Sequence, residues 1–331
     1  MWSKIGEVPL KTGEKMEILM VKTPDRDYER RILSFLSYSN ELWRWHLNLA
    51  VHGELDDLQA RFYLGLLKDR IISNVAAWEY GLIGMVAHLF TTRNQRRKGV
   101  CTALMRAQIQ DFRSRGGKIL IGGFRPASYA TAKSLGFRSI TDNSEVMHYV
   151  VDPDFEREHF RAEKVFCRDS MWKDWPGISL LFGVKKGWRL RSMKHKVYGP
   201  FDYEDYFLKD MRERLNGSCV SKVLATEKES IVGYATLASK HHKKDSFRLL
   251  DFFIHPAFIS YANTLLDAID FPSSKVRCHV ESGDHEKRNL LLKRGFKEKA
   301  FQEQTESDGK ILKISMMELS NRQLGCGKRL N

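Results

Sequence analysis

The succession at residues 84–117 constrains the fold of this chain more than any other feature. An apolar run, GMVAHLFTT, meets a polar basic turn, RNQRRKG, which opens into VCTALMRAQIQDFRSR and ends at Gly116-Gly117. The run is short and bounded, which predicts a buried strand, and Ala103, Leu104, Ala107, Ile109 and Phe112 fall near helical spacing. The glycine pair supplies the helix stop. A strand that delivers a basic, glycine-bearing turn to a helix N-terminus builds a cradle for an anion. The first helical turn has free backbone N–H groups and the positive end of the dipole, and Gly99 lets the chain approach a ligand closely. Arg96, Arg97 and Lys98 add cationic side chains. The turn carries neither the dinucleotide Gly-x-Gly-x-x-Gly pattern nor the Walker pattern.

The elements around this turn predict a mixed α/β unit. EKMEILMVKT reads as a strand, and a charged helix runs from about Asp25 toward Trp43, Trp45 and His46. ARFYLGLLKDRIISNVAAWEYG reads as a hairpin around Lys68-Asp69. After the helix, KILIGGF is a short strand, PASYATAKSLGF a helix closed by Gly136, and SEVMHYVVDP a strand ended by Pro153. Residues 156–185 form a charged, Trp-rich connection broken at Pro176-Gly177. The second half repeats the layout, with WRLRSMKHKVYG, KVLATEKESIVGYATLAS, FRLLDFFIHP, KVRCHVES and KILKISMMEL as extended segments and DYEDYFLKDMRERLNG, SYANTLLDAI and HEKRNLLLKRGF as helices. Its clearest mark is Leu-Gly-Phe-Arg at 135–138 against Arg-Gly-Phe-Lys at 294–297. The expected division is 1–155, a linker at 156–185, a second domain at 186–320 and a tail at 321–331.

At 331 residues, two domains are the expectation, and ordinary apolar and charged fractions of 42% and 29% exclude a fibrous or largely disordered chain. No apolar run reaches the roughly 18 residues of a membrane span; Glu79 and His88 interrupt Val75 to Phe90. The N-terminus has no secretory pattern, so a soluble, cytoplasmic protein is expected. Five cysteines at 101, 167, 219, 278 and 326 show no Cys-x-x-Cys pair and no zinc-ligand spacing, which fits reduced thiols and no metal. The net charge of +14 divides as +5 over residues 1–155 and +9 over the rest, so neither half is a dedicated basic arm.

The turn Arg96-Arg97-Lys98-Gly99-Val100-Cys101 resembles the (Gln/Arg)-x-x-Gly-x-(Gly/Ala) signature of the GNAT superfamily of acyl-CoA-dependent N-acetyltransferases, with cysteine at the last position. The resemblance covers residues 1–150 and, more weakly, 185–320. It implies two tandem GNAT-like domains, each a mixed, mostly antiparallel sheet flanked by helices, with acetyl-CoA as co-substrate of the first. The backbone of Leu89 and Thr91 would pair with the pantetheine arm. Amides of Arg96, Arg97, Lys98, Gly99, Val100 and Cys101 would hold the pyrophosphate, with Thr102 adding a hydroxyl. Where the second half should carry its turn, it reads AFISYANTLLDAI, without Arg-x-x-Gly, so that domain resembles a degenerate copy.

Acetyl transfer needs a deprotonated amine, a polarised thioester and a proton for the leaving thiolate. The family's usual acidic tyrosine falls on Ala132, so Tyr129, three residues earlier on the same helical face, is the candidate acid. His88 is a candidate base, as is Glu79 acting through water. Cys101 is set aside as a nucleophile, since it lies where the pyrophosphate sits and direct transfer needs no acyl-enzyme. The expected activity is transfer of an acetyl group to a primary amine of a small-molecule or peptide acceptor, without membrane or nucleic-acid partners. Two alternatives stay open: a CoA-binding sensor or scaffold without turnover, suggested by Ala132, and a nucleic-acid binder, suggested by the charge and by the basic segment Lys185–Lys196.

Overall fold

β2 (Lys15–Lys22), largely apolar between two lysine ends, pairs antiparallel with the mostly exposed β1 (Trp2–Pro9) at the edge of a sheet. The structure is a computed structural model that describes every residue except 143, 243–244, 306–310 and 321–331, so Cys326 and the expected tail lie outside the described residues. The chain divides into two units: Met1–His159 with Met171–Leu180, and Phe160–Ser170 with the chain from Leu181 onward.

In the first unit the charged stretch after Asp25 forms two helices, α1 (Glu29–Phe35) and α2 (Glu41–His52). The break follows from Asn40, whose side chain accepts the Trp43 N–H and starts a new helix. β3 (Gln59–Leu67) and β4 (Arg70–Tyr80) form the expected hairpin, with Lys68 and Asp69 both at positive φ, the geometry of a tight primed turn. There follow β5 (Ile83–Thr91), α3 (Val100–Ser114), β6 (Ile119–Gly123), α4 (Pro126–Ser134), β7 (Arg138–Ser139), β8 (Val146–Val150) and the short α5 (Phe155–His159). The eight strands lie in the order β1-β2-β3-β4-β5-β6-β8-β7, and only β5 and β6 pair in parallel. Leu104, Met105, Ile109 and Phe112 of α3 cover one face of the sheet against Tyr63, Val75, Ala77, Val86 and Leu120. On the other face Trp78 packs edge-on against His46 of α2.

The segment expected as a linker is folded instead. β9 (Val165–Asp169) pairs with the second sheet, while Trp172 and Trp175 are buried with the first unit. α6 (Trp175–Gly183) belongs to the first unit through Leu180. The reason is apolarity: Trp175, Ile178, Leu180, Leu181 and Phe182 are fully buried, which a solvated linker would not sustain.

The second unit continues with β10 (Leu190–Ser192), β11 (Val197–Tyr198), α7 (Glu204–Leu215), β12 (Cys219–Thr226), β13 (Ile231–His242), β14 (Asp245–Ile254), α8 (Ala262–Asp267), β15 (Lys275–Glu281), α9 (His285–Lys293), β16 (Lys297–Thr305) and β17 (Ile311–Leu319). Its seven-stranded sheet runs β16-β17-β15-β14-β13-β12-β9, again with one parallel pair, β14 and β15. The repeat is therefore real at the level of topology. Its sequence mark is a shared helix end: Gly136 and Gly295 take positive φ, and the N–H groups of Phe137 and Phe296 reach back to the carbonyls of Ala132 and Leu291. Both phenylalanines then enter the cores.

The parallel pair in the first unit depends on close approach at Gly84. A Cβ there would stand 2.7 Å from Leu120 Cδ2 and 3.0 Å from Phe112 Cε2. Gly84→Val is expected to lower the unfolding free energy by about 1–3 kcal/mol through overpacking, read as a lower urea midpoint at unchanged slope. An unchanged midpoint would show that the two strands are free to move apart there.

Candidate active site

β5 and β6 share three register pairs, Ile83 with Ile119, Gly84 with Leu120 and Met85 with Ile121. Beyond them β6 pairs only with β8, while β5 continues to Thr91 with no strand on that side among the described residues. The two strands therefore open into a wedge. The register of β5 against β4 slips between Ala87 and Phe90, and His88 takes φ +48 there, the signature of a β-bulge. Two buried polar residues of β4 hold the bulge. Asn74 Nδ2 donates to the His88 carbonyl at 2.9 Å, and Ser73 Oγ donates to the Phe90 carbonyl at 2.8 Å and shares a hydrogen with Thr91 Oγ1. Sequence reasoning missed both residues; the signal was a polar Ser-Asn pair inside the apolar strand IISNVAAW.

At the end of β5 the chain enters the basic turn. Arg97 and Gly99 both take positive φ, and Val100 begins α3 without a side-chain cap. The first α3 amides are thus left for an external partner. Of the expected cofactor residues, Leu89 and Thr91 lie on the open stretch of β5, Arg96 and Arg97 are exposed, and Val100 anchors the helix in the core. Arg96 Nε donates to the Thr91 carbonyl, and Lys98 Nζ donates to Gln95 Oε1. Gly99 has open space where a Cβ would stand, so it is required by its backbone angle of φ +86 and not by crowding. Thr102 sits half-buried in the first turn of α3, and burial pushes the Cys101 thiol up to about 11, which keeps it protonated at neutral pH.

The expected acid–base residues sit on three elements: Glu79 on β4, His88 on β5 and Tyr129 on α4. Glu79 pairs in register with Gly84 at the closed end of the wedge. Its carboxylate accepts from Arg61 Nε at 3.1 Å and from both terminal nitrogens of Arg115, at 2.6 and 2.9 Å. Tyr129 on α4 packs against the α3-side core, and its hydroxyl shares a hydrogen bond of 2.8 Å with Ser139. His88 lies on the open stretch, ringed by Trp43 at 4.7 Å and Trp78 at 5.9 Å between centroids. Burial pulls its pKa down to about 3, and Nε2 finds no hydrogen-bond partner among the described residues. His46 behind it is fully buried, and burial followed by the proximity of His88 holds it well below the usual histidine range. Trp43, Trp45 and His46 thus form an aromatic wall with Trp172 and Trp175. Tyr38 was not anticipated. It stacks on Phe90 of the open strand at 4.2 Å and remains half exposed, and burial pushes its phenol up to about 12 against the opposing pull of Arg125.

In the second unit β14 and β15 also pair in parallel, from Phe247 with Lys275 to Leu250 with Cys278, before separating. The residue at the separation, Asp251, is engaged by the chain's own β10–β11 segment: Ser192 Oγ and the N–H groups of Met193 and Lys194 donate to its carboxylate. Lys287 Nζ of α9 donates to the Leu190 carbonyl, and the buried Arg191 donates to the carbonyls of Phe182 and Val184. Nearby, Asp210 takes bonds from Lys194, His195, Tyr203 and Tyr234, and although burial opposes its charge, His195 and Lys194 hold it down to about 2. The basic segment 185–196 turns part of its charge inward: Arg191 and Lys194 spend theirs inside the unit.

No family model matches the chain, and no curated protein matches it. Among solved structures, the chain is similar to a putative acetyltransferase of Salmonella typhimurium with its cofactor acetyl-CoA, at 16% identity and a TM-score of 0.38, covering 48% of this chain and 95% of that one. It is likewise similar to a phosphinothricin acetyltransferase of the GNAT superfamily from Sinorhizobium meliloti in complex with acetyl-CoA, at 15% identity and a TM-score of 0.37 over 47% of this chain and 87% of that one. A third is the spermidine N-acetyltransferase of Vibrio cholerae in complex with CoA and spermine, at 14% identity and a TM-score of 0.34, covering 47% and 94%. Among the described residues no helix is long and apolar enough to cross a membrane, and no group of residues could hold a metal ion.

Glu79→Gln is expected to cost about 3 kcal/mol of stability, the low end for breaking a buried ion pair because Arg115 is partly exposed, and to leave ligand binding at the wedge intact. Chemical denaturation and ligand titration on the same sample separate the two effects. His88 has a folded pKa below its unfolded value, so it contributes stability in full above about pH 6.5 and loses it as pH falls toward 3. Its imidazole resonances are expected to remain those of the neutral ring at pH 5. A midpoint near 6.5 would show an open, solvated ring.

Proposed function

We propose that the first unit is an acetyl-CoA-dependent N-acetyltransferase that acts on a primary amine by direct transfer, and that the second unit carries no cofactor site. The observation that carries the reading is the coincidence, on one strand, of the wedge beside β5 and the uncapped helix start that follows it. An extended pantetheine arm completes an open strand edge, while a pyrophosphate needs N–H donors and positive charge one strand-length away. Leu89 and Thr91 would supply the first, and Arg96, Arg97, Lys98, Gly99, Val100, Cys101 and Thr102 the second.

The acceptor amine would enter beside His88. A ring kept neutral by burial cannot repel an amine through charge, and its enclosed Nε2, which has no hydrogen-bond partner among the described residues, accepts a hydrogen bond in the Nδ1–H tautomer. The amine donates to Nε2 as its lone pair attacks the thioester carbonyl; the C–N bond forms, the C–S bond breaks, and the amine proton leaves through the imidazole. Glu79 is assigned the arginine clamp at the closed end and not the base. Tyr129, whose hydroxyl exchanges a hydrogen with Ser139, would return a proton to the thiolate. The stacking of Tyr38 on Phe90 favours it as the alternative donor, since a phenol near 12 stays protonated at working pH.

Calorimetric titration of acetyl-CoA is expected to give one site per chain. Gly99→Asp, which adds a negative charge and strains a backbone at φ +86, is expected to weaken binding at least tenfold while circular dichroism stays unchanged. Two sites per chain would return the second unit to the cofactor-binding role, and no binding by the folded wild type would overturn the reading. With an acceptor in hand, His88→Gln is expected to lower kcat about 10²-fold with little change in acetyl-CoA affinity, in the range ascribed to proton-transfer groups. Binding without transfer to any amine of a broad panel would favour the sensor reading.

A further inference from the structure

The first unit carries a second feature that the acyl-donor site does not use. Between α1 and the β3–β4 turn lies an open cavity of about 440 Å³, lined by Arg30, Arg31, Ser34, Phe35, Asp69, Arg70 and Ile71. Three guanidinium groups face one carboxylate. Arg31 NH2 donates to the Asp69 backbone carbonyl at 2.5 Å and to its carboxylate at 3.1 Å, and the same guanidinium lies 5.0 Å from the centroid of the Tyr28 ring. One positive charge is therefore spent and fixed in place. Arg30 and Arg70 have no hydrogen bond or ion pair among the described residues, which leaves two uncompensated cations in a lining that also holds Phe35.

The placement connects this cavity to the wedge. Phe35, in its lining, packs edge-on against Phe90 at 5.5 Å, and Phe90 is the open-strand residue on which Tyr38 stacks. Ile71 lies beside the strand end as well, since the Thr92 N–H donates to the Ile72 carbonyl. A ligand reaching from the bulge at His88 across Phe90 and Phe35 would arrive at the arginines. Guanidinium forks favour planar or tetrahedral oxyanions, which they bind through paired N–H donors.

We propose that this cavity binds the oxyanion of a carboxylate- or phosphate-bearing ligand, and that the acceptor of the first unit is an amine that carries such a group. The second clause rests on the acetyltransferase reading; the first does not. One other source of the same chemistry is the 3′-phosphate of the acyl donor, so the test must tell the two apart.

The probe for the site itself is phenyl phosphate, titrated into the full chain while the Nε–Hε resonances of Arg30, Arg31 and Arg70 are followed by NMR. Saturable shifts of Arg30 and Arg70 are expected, with none from benzyl alcohol, the uncharged counterpart. Absence of these shifts, or equal shifts with the alcohol, overturns the proposal whatever the chain does with acetyl-CoA. In the Arg30→Ala/Arg70→Ala variant, whose exposed positions leave the fold intact, calorimetry with acetyl-CoA and its 3′-dephospho form identifies the source. Unchanged acetyl-CoA affinity, with KM raised at least tenfold for carboxylate-bearing amines and not for their decarboxylated counterparts, supports an acceptor oxyanion. A tenfold loss for acetyl-CoA but none for the dephospho form would assign the cavity to the donor and overturn the acceptor clause.

Discussion

Everything functional in the first unit depends on β5 and β6 being held together for three residue pairs and no more. Two interactions set that length. At the closed end, the bare Cα of Gly84 lets β5 and β6 meet at van der Waals distance. At the open end, the bulge at His88 turns β5 away, and Asn74 keeps the bulge from relaxing into a regular ladder by taking the carbonyl that the extra residue displaces. A polar side chain buried in the middle of a sheet costs free energy unless it is bonded, so Ser73 and Asn74 belong where a ladder is deliberately broken. The wedge, the exposed strand edge and the direction in which α3 departs all follow.

The sequence made legible what depends on local pattern. The strand, basic turn and helix at 84–115 fall where the spacing put them, the Lys68-Asp69 turn takes the positive φ values a tight hairpin demands, and the paired Gly-Phe helix ends mark the repeat. What stayed hidden depends on distant partners. Residues 156–185 look like a connection because their charges sit at the start and their tryptophans near a Pro-Gly break; only the burial of Trp172 and Trp175, and the pairing of β9 with β12, give them places. β7 is only two residues long, and β1 and β16 are edge strands, largely exposed over β1 and the first half of β16, so they lack the apolar pattern by which a strand is read. Within the candidate site, Gly99 and its basic neighbours were readable from the turn, whereas the roles separating His88, Glu79 and Tyr129 depend on bonds across the sheet that no spacing encodes.

The two units show how one topology supports different chemistry. Both sheets contain a single parallel pair that separates, so the scaffold offers a wedge twice. In the second unit Asp251 stands at the separation, and its carboxylate is satisfied by Ser192 and the backbone of Met193 and Lys194. Those donors make the β10–β11 segment an internal occupant, secured further by Lys287 on the Leu190 carbonyl. Buried charges of this kind contribute little net stability, because desolvation offsets the attraction, but removing one partner strands the other. The Asp210 and Asp251 clusters therefore act by specifying one position for the segment: any displacement exposes several unpaired groups together.

The same reasoning locates the meaning of the positive charge. A net +14 read as a whole suggests a polyanion, yet the larger surplus lies in the half whose Arg191 and Lys194 are turned inward and neutralised or bonded. In the first unit exposed cations such as Lys22, Arg26, Arg44, Arg106 and Lys133 are scattered over the surface, and those beside the cleft are Arg96 and Arg97 at the start of α3 and Arg30 and Arg70 beside Phe35. Exposed charges farther apart than about 10 Å are screened from one another at ordinary ionic strength, so such groups act on what binds beside them and not as a collective field. A pair of cations at each of two places along one aromatic-walled cleft suits a site that orients a small anionic ligand at both ends, and scattered surface charge elsewhere differs in kind from the continuous basic stripe that a nucleic-acid backbone requires.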